Sequence, residues 1–405
     1  MNICLVSPVS AAAGGGTAAY IRHLGKQLVE NGHRVSGVSR LHLDESRSLA
    51  YAESDAVDGR PPRRIELDGW QCEFVAPKRS LSPVLRRLLP LLTRPGLNQI
   101  AVAVSHAAYH RAVANSIPPD ADIIHYIGTG WQLLGFTASV VARQRGIPFT
   151  VTPFVHPEVW GDSRVDIRFY NRSDAVWVCS GYEKTHLEKL GVTPGLLHHT
   201  TMAPAATVQG NAARFRLSHG LGNRPLILFL ARKKRYKGFH TLREAMLAVL
   251  KAAPDTCLVA AGADGEQPYP PVPEANYLDL GELTPNPVDA QHKADALAAC
   301  DVYCMPSTAE AFGIVYVEAW SYGKPVIGGS APALRELILD DVNGFRVEQD
   351  HSRVADRLIQ LLADASLSSR LGEAGRAWTE ENCTWPAVME RHLDLWKTLQ
   401  HQKRN

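Results

Sequence analysis

The sequence predicts an α/β protein made of two doubly wound parallel-sheet domains facing each other across a cleft. Three observations predict it. Short apolar runs at residues 3–6, 122–125, 147–152 and 173–180 alternate with helical patterns, the rhythm of β-α-β units. The alternation pauses over residues 191–222, rich in Pro, Gly, Ala and His, and restarts with the unbroken run PLILFLA at 225–231, the kind expected in a buried parallel strand. A chain of 405 residues also suits two domains of ordinary size better than one. The expected boundaries are 1–205 and 206–384, with a final helix over 385–405.

In the first half, residues 3–6 form a strand that Ser7 and Pro8 end. A small-residue loop through Gly14, Gly15 and Gly16 leads into a helix over 17–30, with Tyr20, Ile21, Leu24 and Leu28 on one face. Asn31-Gly32 closes that helix and residues 33–35 open the next strand. The glycine-rich turn has three readings: a tight turn only, a dinucleotide fingerprint, or a loop whose N–H groups approach a phosphate or sugar across the cleft. No G-x-G-x-x-G spacing exists and Val38-Ser39 offers no acidic ribose ligand, which counts against the second.

Residues 41–77 read as polar and irregular. Residues 78–95 carry Lys78, Arg79, Arg86, Arg87 and Arg94 among leucines and are cut by Pro83 and Pro90. They read either as a surface loop with a short helix or as a basic membrane contact. Residues 97–117 form a long helix, with His106 and His110 four apart but no acidic third ligand. Asp120 and Asp122 precede their strand, whereas ligands gather at strand C-terminal ends, so this pair is discounted. A helix over 132–145 follows. The strand 147–152 ends in PFVHPEVWGD, placing His156 in a loop just past a strand end, a suitable address for an active-site residue. A strand over 173–180 and a helix over 183–190 complete this half.

In the second half, the strand 225–231 runs into Arg232 and Lys237, which read either as a bidentate grip and a point charge for a diphosphate or, with Lys233, Lys234 and Arg235 beside them, as a solvated basic loop. The helix 242–253, the strand 256–261 ending at Gly262, a proline-rich insertion over 267–275, the strand 277–280 and the helix 292–299 follow. Residues 302–305 are a buried strand ended by Pro306. The stretch STAEAFGIVYVEAWSYGKPV then supplies a turn holding Glu310, a helix to about Tyr322, the cap residue Gly323 and Pro325 at the next strand. Glu310 and Glu318 have seven residues between them, one at the helix mouth and one about two turns inside. N–H groups at Ala311, Phe312, Gly313 and Ile314 would point out of a mouth that carries partial positive charge. Such a mouth takes phosphate, and the flanking carboxylates accept hydroxyls. A nucleotide-sugar carries those parts: a diphosphate, a ribose diol and a sugar diol. Residues 325–328, 334–339 and 343–347 continue the alternation, and 353–399 is helical.

Composition bounds the function class. Hydrophobic residues make up 45% and charged residues 21%, and the formal charge of +2 is too near zero to argue for nucleic-acid binding. Seven scattered cysteines with no C-x-x-C pair read as reduced core thiols without a zinc site. No signal peptide or membrane-spanning run is visible, so the expected location is cytoplasmic, with peripheral contact at the inner membrane face if residues 78–94 serve that role.

The segments ARKKRYKG, AGADG, CDVYCMPSTAEAFGIVYVEAWSYGKPVIGG and DDVNGFRV resemble the donor domain of family-four glycosyltransferases, retaining enzymes of GT-B fold. The first half resembles their acceptor domain through the glycine loop, NGHRV, DIIH and the loop holding His156. Ala18 stands where many members are acidic, and Ala231 where many have glycine. The resemblance implies that Glu310 and Glu318 are the family's E-x7-E pair and that Arg232 and Lys237 grip the diphosphate. It implies transfer of a hexose-type sugar with no cofactor and no metal, the nucleotide-sugar being a co-substrate. The acceptor would be a small molecule, a glycan or a lipid-linked sugar. Gly15, Gly16 and Gly262 would contact the donor, His156 would lie near the transferred sugar, and the final helix would cross back onto the first domain. Three alternatives stay open at this point: a nucleotide-sugar epimerase of the same fold, an NAD-dependent oxidoreductase, and a non-enzymatic lipid or membrane binder using 78–94.

Overall fold

The structure, a computed structural model, describes residues 1–11, 15–40, 64–85, 89–94, 96–204, 208–284 and 286–404. The chain divides into two compact units, Met1–Thr200 with Val388–Asn405, and Thr201–Ala387.

The first unit holds β1 (Asn2–Ser7), α1 (Gly16–Glu30), β2 (Arg34–Arg40), β3 (Arg64–Leu67), β4 (Trp70–Val75) and the short helices α2 (Ser82–Leu85) and α3 (Leu89–Leu92). It continues with α4 (Asn98–Ser116), β5 (Ile123–Ile127), α5 (Leu134–Arg145), β6 (Phe149–Thr152), α6 (Arg164–Tyr170), β7 (Ala175–Val178), α7 (Gly181–Lys189) and β8 (Leu197–His199). The eight strands lie in the order β3-β4-β2-β1-β5-β6-β7-β8. All neighbours are parallel except β3 and β4. Strands β1, β5, β6 and β7 are buried throughout, as continuous apolar runs covered on both faces must be.

The second unit holds α8 (Ala212–Ser218), β9 (Leu226–Leu230), α9 (Phe239–Ala252), β10 (Cys257–Ala261), β11 (Tyr277–Asp279), α10 (Pro287–Ala299), β12 (Val302–Met305) and α11 (Ile314–Ser321). It ends with β13 (Val326–Gly328), α12 (Leu334–Leu337), β14 (Phe345–Arg346), α13 (His351–Ala363) and α14 (Ala365–Asn382). Its sheet is wholly parallel in the order β11-β10-β9-β12-β13-β14. The strand order reverses at β9 and β12, and a crevice forms outside the carboxyl ends of strands at such a switch point. The last helix, α15 (Trp385–Arg404), belongs to the first unit from Val388 onward. Within that unit Trp396 donates to Thr150 Oγ1 at 3.1 Å, and Gln400 bonds Asp122.

Three segments differ from the sequence reading. Residues 41–77 are not irregular as a whole: 41–63 lie outside the described residues, but β3 and β4 are a hairpin on the sheet edge. Asp68 and Gly69 both take positive φ in its two-residue turn, and Trp70, Cys72 and Phe74 alternate inward. The Trp70 indole fills the space over Gly25 and Gly37, where a Cβ would collide with it. Residues 191–222 are more than a connection, since they contain β8 and α8. Strand β8 reads LHH and has no apolar run to betray it; its place is fixed by parallel pairing to β7. Helix α10 begins five residues before its expected start, because Asn286 caps it and Pro287 opens it.

Candidate active site

The site is built on the second unit, at the exits of β9 and β12. Beyond β9, Lys237 closes a 3-10 turn and is buried, as is Glu310 beyond β12, and their side chains meet at 2.7 Å. Arg232 is half-buried and donates to the Tyr236 hydroxyl at 2.8 Å, which steadies a long side chain at the strand exit. Gly262 has φ +137°, and a Cβ there would fall on the Ala231 carbonyl. A glycine is therefore required for the β10 exit to pass against the start of the basic loop.

Helix α11 is preceded by its cap residue Gly313, which is left-handed at φ 96° and ψ 46°. Its placement comes from Tyr316, whose hydroxyl donates to the Met305 carbonyl at 2.5 Å and lies 3.2 Å from Ser307 Oγ. The first turn is thereby fastened to the end of β12. Ala311 and Phe312 are buried beside it. Among the described residues no hydrogen bond takes up the N–H of Phe312, Gly313 or Ile314. Glu318 lies inside the helix and is buried. Its Oε1 accepts from Lys293 of α10 at 2.6 Å, while Oε2 is buried without a partner.

The structure thus brings Arg232, Lys237, Gly262, Glu310, Ala311, Phe312, Gly313, Ile314 and Glu318 to the C-terminal side of one sheet. Lys233 counts against the solvated-loop alternative. That residue is not part of a solvated loop: its side chain is 2% exposed and lies between Asp264 at 3.1 Å and Asp279 at 2.6 Å. Burial disfavours the Asp279 charge, yet bonds from Lys233, the Gly281 N–H and Tyr277 outweigh it and hold the carboxyl below its usual range. Lys293 was not among the expected residues. No sequence spacing connects it to Glu318; the packing of α10 and α11 does.

The remaining candidates belong to the first unit. Gly15, at φ 96°, precedes α1 and Gly16 opens it, both exposed, with open space where a Cβ would stand; Gly14 lies outside the described residues. His156 is half-buried, its ring 5.0 Å from that of Trp160. Its Nδ1 lies 3.2 Å from the Phe154 carbonyl. A carbonyl only accepts, so that nitrogen carries the proton. The loop is held by Glu183, whose buried carboxylate accepts from the Val155 and Cys179 N–H groups at 3.0 and 2.7 Å. Burial pushes the Glu183 carboxyl up to about 7. Asp120 and Asp122 sit at the beginning of β5, engaged with Arg34 and the Asn2 N–H.

Among the described residues no three His, Cys, Asp or Glu side chains gather to hold a metal ion, and no helix is long and apolar enough to cross a membrane. Arg86, Arg87 and Pro95 of the basic segment lie outside the described residues. The cysteines are all buried and unbridged.

Residues 15–200 match the profile of the glycosyl transferase 4-like domain, and residues 213–378 that of glycosyl transferases group 1. A GDP-mannose-dependent alpha-(1-6)-phosphatidylinositol monomannoside mannosyltransferase of Mycolicibacterium smegmatis is 29% identical over 246 residues. The match takes in 56% of this chain and spans 63% of the length of that enzyme. A D-inositol 3-phosphate glycosyltransferase of Frankia alni is 28% identical, with 90% of each chain covered. Sucrose-phosphate synthase from Thermosynechococcus elongatus superposes with a TM-score of 0.73 over 98% of this chain and 99% of its own, at 19% identity, and so shares the fold.

Proposed function

The chain belongs to the family-four glycosyltransferases of GT-B fold, and from that premise we propose that it moves a sugar from a nucleoside-diphosphate donor to an acceptor hydroxyl with retention of anomeric configuration. One observation carries the reading. The Lys237–Glu310 pair stands beside a helix mouth whose N–H groups at Phe312, Gly313 and Ile314 are unengaged among the described residues. Donors and positive charge converge where a departing diphosphate would gather negative charge.

In this reading Lys237 and Arg232 meet the diphosphate, Lys237 as a point charge and Arg232 as a planar fork. Glu310 shares Lys237 until the donor arrives, then accepts sugar hydroxyls and orients the sugar. Glu318 accepts from the ribose. The bond from the anomeric carbon to the diphosphate breaks, and the acceptor oxygen bonds that carbon on the same face. The acceptor's proton passes to the leaving phosphate oxygen, and no protein-held metal takes part. The second unit serves as the donor domain and the first as the acceptor domain, with Gly15 and Gly16 offering N–H groups to the donor and His156 serving the transferred sugar. The names of the mannosyltransferase and inositol 3-phosphate relatives support a phosphorylated or lipid-linked polyol as acceptor.

The test is transfer by purified variants on a nucleotide-sugar panel. Lys237→Ala and Glu318→Ala are each expected to lose at least about tenfold, on the order of 1.4 kcal/mol or more of transition-state stabilisation. Wild-type rates in both would overturn the assignment.

A further inference from the structure

Four arginines spread over residues 335–357 form no motif in the sequence, yet the fold of the second unit brings them to one concavity. Arg335 comes from α12, Arg346 from β14, and Arg353 and Arg357 from α13, and together they line an open cavity of about 580 Å³. Among the described residues that line it, none belongs to the site at the β9 and β12 exits. We propose that this cavity is a second ligand site, which binds the phosphate monoester of a small polyol.

The charge points to an anion. Three carboxylates, Asp340, Glu348 and Asp356, share the wall with the four guanidiniums, which leaves an excess of one positive charge. Their positions also leave most of the guanidiniums unpaired. Asp340 accepts from the backbone N–H of Arg346 at 2.8 Å. Glu348 reaches Arg353 only at 3.5 Å, with side chains 70% and 62% exposed, and such a pair is worth little in water. Among the described residues no ion pair engages Arg335, Arg346 or Arg357. Two of these three are already held in place. Arg346 is half-buried on the edge strand, and its Nε has no hydrogen-bond partner. Arg357, also half-buried, lies 4.3 Å from the centre of the Phe345 ring and donates to Gln360 Oε1 at 2.7 Å. Like charges in a concave wall repel one another and focus a positive field into the cavity. A phosphate monoester is close to a dianion at neutral pH and carries three acceptor oxygens, which guanidinium forks match. Side chains set before the ligand arrives lose little further rotamer freedom when it binds.

The size and the rest of the wall point to the body of the ligand. The volume lies within the range of small-molecule sites, about 300–1,000 Å³, and a phosphate group alone fills only a small part of it. Beyond the arginines the wall is polar: Asp356 and the Ser330 hydroxyl join Asp340 and Glu348, and Val347 adds an apolar side chain. Carboxylates that are not engaged by the guanidiniums accept hydroxyls. A polyol body satisfies them, whereas an apolar body would leave them stripped of water without a donor.

The experiment is calorimetric titration of mannose 6-phosphate, glycerol 3-phosphate, mannose and inorganic phosphate at one fixed ionic strength, with thermal melts of every protein. The proteins are wild type, the double variant Arg335→Gln/Arg353→Gln, Arg346→Met and Lys237→Ala. Arg335 and Arg353 are exposed, so the double variant keeps the test open if Arg346→Met misfolds. Wild type is expected to bind at least one of the two esters at least about tenfold more tightly than it binds mannose or inorganic phosphate. The arginine variants should lose at least about tenfold for that ester, bind UDP within about twofold of wild type, and leave the ester's affinity in Lys237→Ala unchanged. No saturable binding of either ester by wild type would overturn the inference, as would an ester held no more tightly than inorganic phosphate. Full ester affinity in the double variant, or its loss in Lys237→Ala, would place the ligand elsewhere and overturn it too. A final arm uses phosphatidylglycerol vesicles: capture of wild type by these without binding of the soluble esters would assign the charge to a lipid surface and overturn the small-molecule site.

Discussion

Two lysines four residues apart, Lys233 and Lys237, show how burial sorts residues of one type into different tasks. Lys237 meets one buried carboxylate at the helix mouth. Lys233 is clasped by Asp264 and Asp279, which are 61% and 39% exposed. It fastens the β9 exit to the ends of β10 and β11 and has no proton left for a ligand. Lys233→Ala is therefore expected to cost about 2 kcal/mol of stability, the scale of hydrogen bonds to charged groups. The loss falls short of the roughly 3–5 kcal/mol for an orphaned buried charge, because both aspartates can be resolvated. The urea midpoint measures it, and an unchanged midpoint would show that the clasp contributes nothing net.

At the scale of the element, α11 depends on the left-handed Gly313. A Cβ there would meet the Tyr316 ring at 2.8 Å and Leu334 at 3.0 Å. Tyr316 is also the residue that ties the helix to Met305 and Ser307, so a push on its ring tilts the mouth. Gly313→Ala is expected to lose about 1–2 kcal/mol of stability from the left-handed penalty. It should also weaken nucleoside-diphosphate binding by about tenfold, about 1.4 kcal/mol. Unaltered affinity in a folded variant would detach the mouth from diphosphate recognition. This element was legible in the sequence because its signals are local: an apolar run, Pro306, a glycine at each end of the helix, and Pro325. Strand β9 was legible for the same reason. Strand β4 was missed although its period-two alternation and Asp68-Gly69 turn were there to read. Strand β8 and the Lys293–Glu318 contact carried no local signal, since each is defined by a partner distant in sequence. The solvated-loop alternative stayed open in the sequence because five basic residues among six look alike until the carboxylates of two other strand ends are brought beside Lys233.

For the molecule as a whole, the pH dependence of stability turns on buried groups of opposite sign in the first unit. His392 of α15 is fully buried, stacked 4.2 Å from Trp177 and 3.3 Å from the Tyr20 hydroxyl. Burial pulls it down to about 4. His125, also fully buried, is held well below its usual value by burial and by neighbouring His392. As pH falls from about 6.5 to about 4 the unfolded chain binds protons that these rings refuse, so stability is lost across that window. For His392 alone the loss is on the order of 3 kcal/mol. Glu183 works the other way. Its carboxyl, pushed by burial up to about 7, keeps its proton longer when folded, so stability is lost as pH rises from about 4.5 to about 7. The two slopes overlap, and a wild-type curve alone cannot separate them. A difference between variants can. Phenylalanine at 392 keeps a ring against Trp177 and removes the titration, so His392→Phe is expected to lie within about 1 kcal/mol of wild type near pH 7. Below pH 6.5 the variant should gain on wild type steadily, by on the order of 3 kcal/mol near pH 4. Urea unfolding is followed by tryptophan fluorescence, to which Trp177 and Trp396, both in contact with the His392 ring, contribute. Parallel curves for the two proteins across that window would mean that His392 already carries its proton in the folded state, and that burial does not govern its charge.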